Sequence, residues 1–232
     1  MEGSLKAIYM GKSMRKQLVI FDLDGTLLNT IADIAMAVNH ALSALGYPTH
    51  SEEVVKSFVG NGVSKLLERA LPEDKRTEEN VTLLRKHFTE YYDKHNADFS
   101  SPYPGILSLL SHLQGNKVML AVASNKYQAA TEKIVAKLFP GIFDVVLGER
   151  ENVARKPDPQ IVWDILEAIG RKGEEAIEDA LYIGDSLVDA ETAKAAKLPF
   201  VACTWGFCTR EQLMTAQAHY MADHPKEILT II

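Results

Sequence analysis

Cysteine is scarce in this chain: the 232 residues hold two, Cys203 and Cys208. At that spacing the pair matches no metal-ligand pattern, and both read as reduced thiols of a cytoplasmic protein. Long apolar runs are missing as well. No stretch reaches the roughly 18 consecutive apolar residues that a membrane span needs. The opening MEGSLKAIYMGKSMRKQ has no secretory-type apolar region. A basic excess is absent: 25 Lys and Arg stand against 31 Asp and Glu, a formal charge of −6, with no basic stripe to neutralise phosphates. Nucleic acid and membrane are therefore set aside as partners, and no internal repeats or low-complexity tracts suggest an array.

What remains is an ordinary globular composition, 47% hydrophobic and 24% charged. A chain of this length can bury a core without disulfides, as one large domain or a core plus a smaller module. Residues 1–17 read as a disordered or extended segment. Leu18 to Phe21 is a short, continuous, β-branched run and reads as a buried strand. A helical stripe follows from Ile31 to Leu45, closed by Gly46 and Pro48. Residues 51–58, 62–71 and 76–95 also read as helices, with Pro72 breaking the series. From Pro102 strand and helix alternate: helix 104–114, strand 117–123, helix 126–138, strand 144–147, helix 158–169, strand 180–183, helix 187–196 and strand 199–203. That alternation predicts an α/β fold, a doubly wound, Rossmann-like parallel sheet. Segments 18–29 and 102–232 form its core, and 30–101 is an inserted all-helical cap.

Open α/β sheets place their sites beyond the carboxyl ends of the strands. Asp22, Asp24, Gly25 and Thr26 follow the first strand, Ser124 and Asn125 the second, and Gly184-Asp185-Ser186 the fourth. Lys156 sits in the Arg155-Lys156-Pro157-Asp158-Pro159 connection. Asp22, Asp24, Asp185 and Asp189 are placed to meet at that edge. Two like charges 4 Å apart repel by about 4 kcal/mol at an effective dielectric of 20, so such a cluster calls for a hard divalent cation. A carboxylate there can also act as a nucleophile. Lys156, Ser124, Asn125 and the backbone around Gly25 and Thr26 would hold phosphoryl oxygens. Taken singly, each piece has a plainer reading: a turn, a solvated lysine, or, for Ser124, an N-cap of the helix from 126. Their joint order after successive strands favours catalysis.

The chain resembles phosphatases of the haloacid dehalogenase superfamily, whose four motifs are similar to Asp22-Leu-Asp24-Gly25-Thr26, Ser124, Lys156 and Gly184-Asp185-Ser186-Leu-Val-Asp189. The resemblance implies that Asp22 attacks phosphorus and that Asp24 protonates the leaving oxygen and then activates water. It further implies that Asp22, the Asp24 backbone carbonyl and Asp185 hold Mg²⁺, with Asp189 orienting Lys156 or a metal-bound water. Asn29 stands where many relatives carry Asp. Asp24 argues against dehalogenation, in which no leaving alkoxide needs a proton. The mutases of the superfamily carry a His twelve positions after the nucleophile, where this chain has Ile34, and His40 reads as a surface residue. Lys56 and Lys65, which phosphonate hydrolysis would need as amines, read as helix-surface lysines.

The stretch Phe58-Val-Gly60-Asn61-Gly62-Val-Ser-Lys65 is similar to the cap segment of phosphoglycolate phosphatases, as is Thr204-Trp205-Gly206-Phe207. A glycine-rich turn opening a helix can bind an anion, so Gly60, Asn61, Gly62 and Lys65 are candidate contacts for a substrate carboxylate. The implied activity is Mg²⁺-dependent hydrolysis of a small phosphorylated metabolite, 2-phosphoglycolate first, through an aspartyl-phosphate. Alternatives are pyrophosphate, a range of sugar phosphates, or a β-phosphoglucomutase-type reaction. A cytoplasmic monomer or homodimer is expected. Trp163, Trp205, Tyr91, Tyr92 and Phe99 read as packing residues.

Overall fold

The computed structural model describes residues 16–232, so the expectation for 1–17 lies almost wholly outside the described residues. The central strand β1 (Leu18–Phe21) is flanked by β4 (Met119–Tyr127) and β6 (Ala180–Gly184). Outside these lie β5 (Val145–Glu149) on one side, and β7 (Phe200–Cys203) and β8 (Tyr220–Ala222) on the other, all parallel. The four residues of β1 are completely buried, as expected of a parallel strand covered on both faces.

Side-chain alternation divides the sheet between two cores. Val19, Phe21, Leu120, Val122, Leu181 and Ile183 enter one. Leu18, Ile20, Ala121, Ala123, Ala180 and Tyr182 enter the other. The first packs under α5 (Ile106–Gly115) and α6 (Gln128–Leu138), the second under α7 (Gln160–Ala168) and α9 (Leu187–Ala195). Short helices α8 (Glu174–Glu178), α10 (Arg210–Met214) and α11 (Pro225–Ile228) complete the chain.

A third core belongs to α1 (Ile31–Ala44), α2 (Glu52–Phe58), α3 (Val63–Ala70) and α4 (Glu78–His95), built on Ile34, Val38, Leu42, Leu67, Leu84 and Phe88. Ser51 and Thr77 cap α2 and α4 through their hydroxyls. These helices leave and rejoin the sheet through β2 (Leu28–Asn29) and β3 (Ser101–Pro102), paired antiparallel. Asp33 at the start of α1 accepts from the N–H groups of Phe99 and Ser100, tying the two passages together. No helix among the described residues is long and apolar enough to cross a membrane.

Several details depart from the sequence reading. The second strand runs past Ala123 to Tyr127 across a register shift, so Ser124 and Asn125 lie on the strand end rather than after it. The helix therefore starts at Gln128 with Tyr127 as its N-cap, and the Ser124 hydroxyl accepts from the Lys126 N–H instead of capping. Lys117 is not the strand's first residue but adopts a left-handed φ of 60° closing α5. Phe99 and Trp163 were expected to pack, yet are 62% and 47% exposed.

Candidate active site

The ends of β1, β4 and β6 converge beside the crevice where the chain switches from one side of β1 to the other, the position open α/β sheets use for ligands. Lys156 is the hub. The residue is 3% exposed, and its ammonium donates to Asp22 Oδ1 (2.8 Å), Asp189 Oδ1 (2.7 Å) and the Ala123 carbonyl (2.9 Å), with the Tyr182 hydroxyl 3.2 Å away. Residues 134 positions apart thus meet as a buried ion pair. Burial pulls the Lys156 ammonium toward neutrality, but Asp189 and Asp22 outweigh it and hold its pKa well above the usual lysine value.

Asp22, Asp185 and Asp189 each offer an oxygen within 4.8 Å of the others. Burial and then Asp189 push Asp22 well above the ordinary carboxyl range, and the same causes raise Asp185 to about 7. One ammonium does not balance so many buried carboxylates, and an all-oxygen donor set suits a hard cation. Asp185 is fixed by the Thr26 hydroxyl (2.9 Å) and the Phe207 N–H (2.7 Å). Gly25 sits at φ 91°, and a Cβ there would fall 2.2 Å from Asp185 Oδ2, so that approach requires glycine. Trp205 closes the same wall by donating from its indole to the Thr26 carbonyl at 3.0 Å.

Gly25 and Thr26 were predicted to hold phosphoryl oxygens, but the turn has spent their N–H groups, on the Leu28 and Leu23 carbonyls, and the Thr26 hydroxyl on Asp185. The N–H groups of Leu23 and Asp24 have no internal acceptor among the described residues. The side chain of Asp24 turns away from the other carboxylates, accepting from Thr30 Oγ1 (2.7 Å) and pairing with Lys126 Nζ (2.9 Å). Asn125 binds both the N–H and the carbonyl of Lys156 and reaches the Gly60 carbonyl at 3.0 Å, joining sheet and helical cap.

Asp22, Asp24, Ser124, Asn125, Lys156 and Asp185 all line one cavity of about 410 Å³ beneath α2, α3 and α4, a size suited to a small molecule. Gly60 and Gly62 reach its wall. Asn61 and Lys65 do not: they face a separate hollow with Arg69 and Arg155, where Lys65 pairs with Glu68 at 2.6 Å and Asn61 accepts from Arg69.

Sequence reasoning passed over three residues. Lys126 is buried and bonded to Asp24 and to the Tyr92 hydroxyl (2.7 Å), and Asp24 and Tyr92 overcome its burial to raise its pKa. Tyr92 was read as packing alone; it stacks on Phe88 but also carries this polar link between cap and core. Tyr182 donates to Asp189 (3.2 Å). Its place on β6, two residues before Gly184, was the available signal for Tyr182. For Lys126 it was adjacency to Ser124-Asn125, and for Tyr92 none.

The family model described as haloacid dehalogenase-like hydrolase matches residues 19–203. The chain is 36% identical over 192 residues to the phosphoglycolate phosphatase of Aquifex aeolicus, covering 82% of this chain and 86% of that protein. It is 31% identical over 223 residues to the phosphoglycolate phosphatase of Haemophilus influenzae, covering 93% and 98%. A solved structure from Lactobacillus delbrueckii subsp. bulgaricus superposes with a TM-score of 0.87 at 32% identity, covering 94% of this chain and 99% of that one.

Proposed function

We propose that this chain, which belongs to the haloacid dehalogenase-like hydrolase family, hydrolyses a small phosphomonoester, with 2-phosphoglycolate as the leading substrate. The carrying observation is that Asp22, Asp24, Ser124 and Lys156, from distant parts of the chain, line one covered cavity. The names of the relatives support the choice of substrate.

The Asp22 carboxylate attacks phosphorus, forming an aspartyl-phosphate as the ester P–O bond breaks. Asp24 gives its proton to the departing alkoxide, then takes one from the water that attacks the same phosphorus. Phosphate leaves and both aspartates return to their starting forms. Ser124 and Lys156 hold the transferred oxygens, with Lys156 fixed by Asp189 and Tyr182. The oxygens of Asp22 and Asp185, with the Asp24 carbonyl as the resemblance implies, are suited to hold Mg²⁺, and Asp189 supports Lys156. A divalent cation bound there supplies positive charge that keeps the buried carboxylates ionised and screens the phosphoryl oxygens. The apolar cap wall, including Val63, Leu66 and Phe88, covers this space and limits its exchange with bulk water.

No histidine lines the cavity among the described residues, and Ile34 occupies the wall where a mutase base would stand, which favours hydrolysis over phosphosugar isomerisation. The unpaired Cys203 and Cys208 support a cytoplasmic setting.

The test is phosphate release from a panel of phosphoglycolate, pyrophosphate and hexose phosphates with Mg²⁺. Asp22→Asn lowers turnover by about 10⁴-fold or more, with the circular dichroism spectrum unchanged. A variant that keeps most of its rate, or activity that survives thorough chelation, overturns the mechanism.

A further inference from the structure

The walls of the catalytic cavity carry more than the reacting groups. On the sheet side both lysines are committed: Lys126 to Asp24 at 2.9 Å, and Lys156 to Asp22 and Asp189 at 2.8 and 2.7 Å. On the cap side the polar side chains are mostly spent. Ser57 donates its hydroxyl to the Val54 carbonyl (2.7 Å), and Thr209 and Gln212, which the core contributes beside it, close the capping box of α10. Ile34, Val59, Val63, Leu66 and Phe88 make the rest of that wall apolar.

Lys56 is different. The sequence reading left it as a surface lysine of α2, yet it is half-buried and lines the cavity. Its ammonium stands 5.6 Å from the centroid of the Phe207 ring. No carboxylate lies within ion-pair distance of it among the described residues. Phe207 is also the residue whose N–H fixes Asp185, so this cation is attached to the reacting edge of the site.

We infer that Lys56 recognises a carboxylate at the far end of a short phosphomonoester, and so sets the substrate's charge class. This rests on the phosphatase reading above. A phosphoryl group held by Ser124 and Lys156 leaves the remainder of a small substrate against the cap wall. A partly dehydrated ammonium without a carboxylate partner is the feature there that rewards an anionic tail, and a neutral tail leaves it unsatisfied. Glu53, exposed and one turn earlier on the same helix, is the opposing charge in that wall, and would govern if the tail were cationic.

The experiment measures kcat/KM for three esters of matched length: 2-phosphoglycolate, 2-hydroxyethyl phosphate and 2-aminoethyl phosphate. The wild-type protein prefers the carboxylate. Lys56→Gln lowers the carboxylate-to-neutral ratio by about 10- to 100-fold, mostly through KM, and Lys56→Arg keeps most of the preference. Circular dichroism on both variants establishes that they fold. A ratio indifferent to Lys56, or a preference for the amine that Glu53→Gln abolishes, overturns the Lys56 assignment while leaving the phosphatase standing. Absence of phosphate release from all three esters and from the wider panel overturns both.

Discussion

Asp24 and Lys126 show how much of this site is settled one side chain at a time. The two oxygens of Asp24 are taken by Thr30 and Lys126, so the proposed proton-transfer group is held by partners distinct from those of the nucleophile. Lys126 is itself held by the hydroxyl of Tyr92, which descends from α4. Lys126→Met leaves Asp24 with a single partner and lowers kcat by about 10²-fold with little change in KM. Lys126→Arg restores part of the loss, and steady-state kinetics on both variants checks it. A matching rise in KM would assign Lys126 to substrate binding instead. That Asp22, Asp24, Ser124, Lys156 and Asp185 would meet in one cavity was legible because they stand at strand ends, or for Lys156 in the connection before a helix, in a recognisable order. Lys126 was not, since a lysine beside a strand end reads as solvated until a carboxylate and a phenol are found around it.

At the level of elements, the start of α9 does two jobs with one carboxylate. Asp189 Oδ2 accepts from the N–H and hydroxyl of Ser186, completing a capping box, while Oδ1 accepts from Lys156. The same helix terminus that needs its free N–H groups satisfied thereby positions Lys156, the lysine proposed to hold phosphate. Ser186→Ala removes half of the box and costs about 1 kcal/mol of unfolding free energy, measured by urea denaturation. The longer elements were readable from periodicity, with ends displaced by a few residues. The pairing of β2 with β3 was not, nor was β8, because two- and three-residue strands carry too little pattern to rise above their surroundings. The extension of β4 through Ser124 was hidden by its register shift, which a polar Ser-Asn-Lys sequence disguises as a turn.

For the molecule as a whole, the carboxylate cluster couples folding to pH and, if it holds the proposed Mg²⁺, to that cation as well. Asp185 moves from an ordinary 3.8 to about 7 in the folded protein, and Asp22 is displaced in the same direction. Between those values the folded state binds more protons than the unfolded one, so stability falls as pH rises through the window. Lys156, whose pKa is raised, stays protonated in both states there and adds no slope. Chelator-treated protein therefore loses several °C of Tm between about pH 5 and 7, each kcal/mol being worth roughly 2–4 °C at this size. Mg²⁺ restores more of that loss at the higher pH, because protons compete for the same oxygens. Differential scanning calorimetry reads both effects, and a Tm that rises with pH in chelator would contradict them.

The sequence by itself determined the parallel sheet and the helical insertion, because buried strands and amphipathic helices are written as local periodicities. It also determined which carboxylates and which lysine stand beyond the strand ends, since topology brings those ends together. Only the tertiary structure decided how the polar groups were shared out. Thr26 and the N–H of Gly25 went to holding the turn and Asp185, and Asn61 and Lys65 turned to a different hollow. Tyr92 and Lys56 came to the cavity through the placement of the cap over the sheet, where Tyr92 meets Lys126. Hydrogen bonds and ion pairs are made by whichever groups meet in space, and residues far apart in sequence carry no local mark of that meeting.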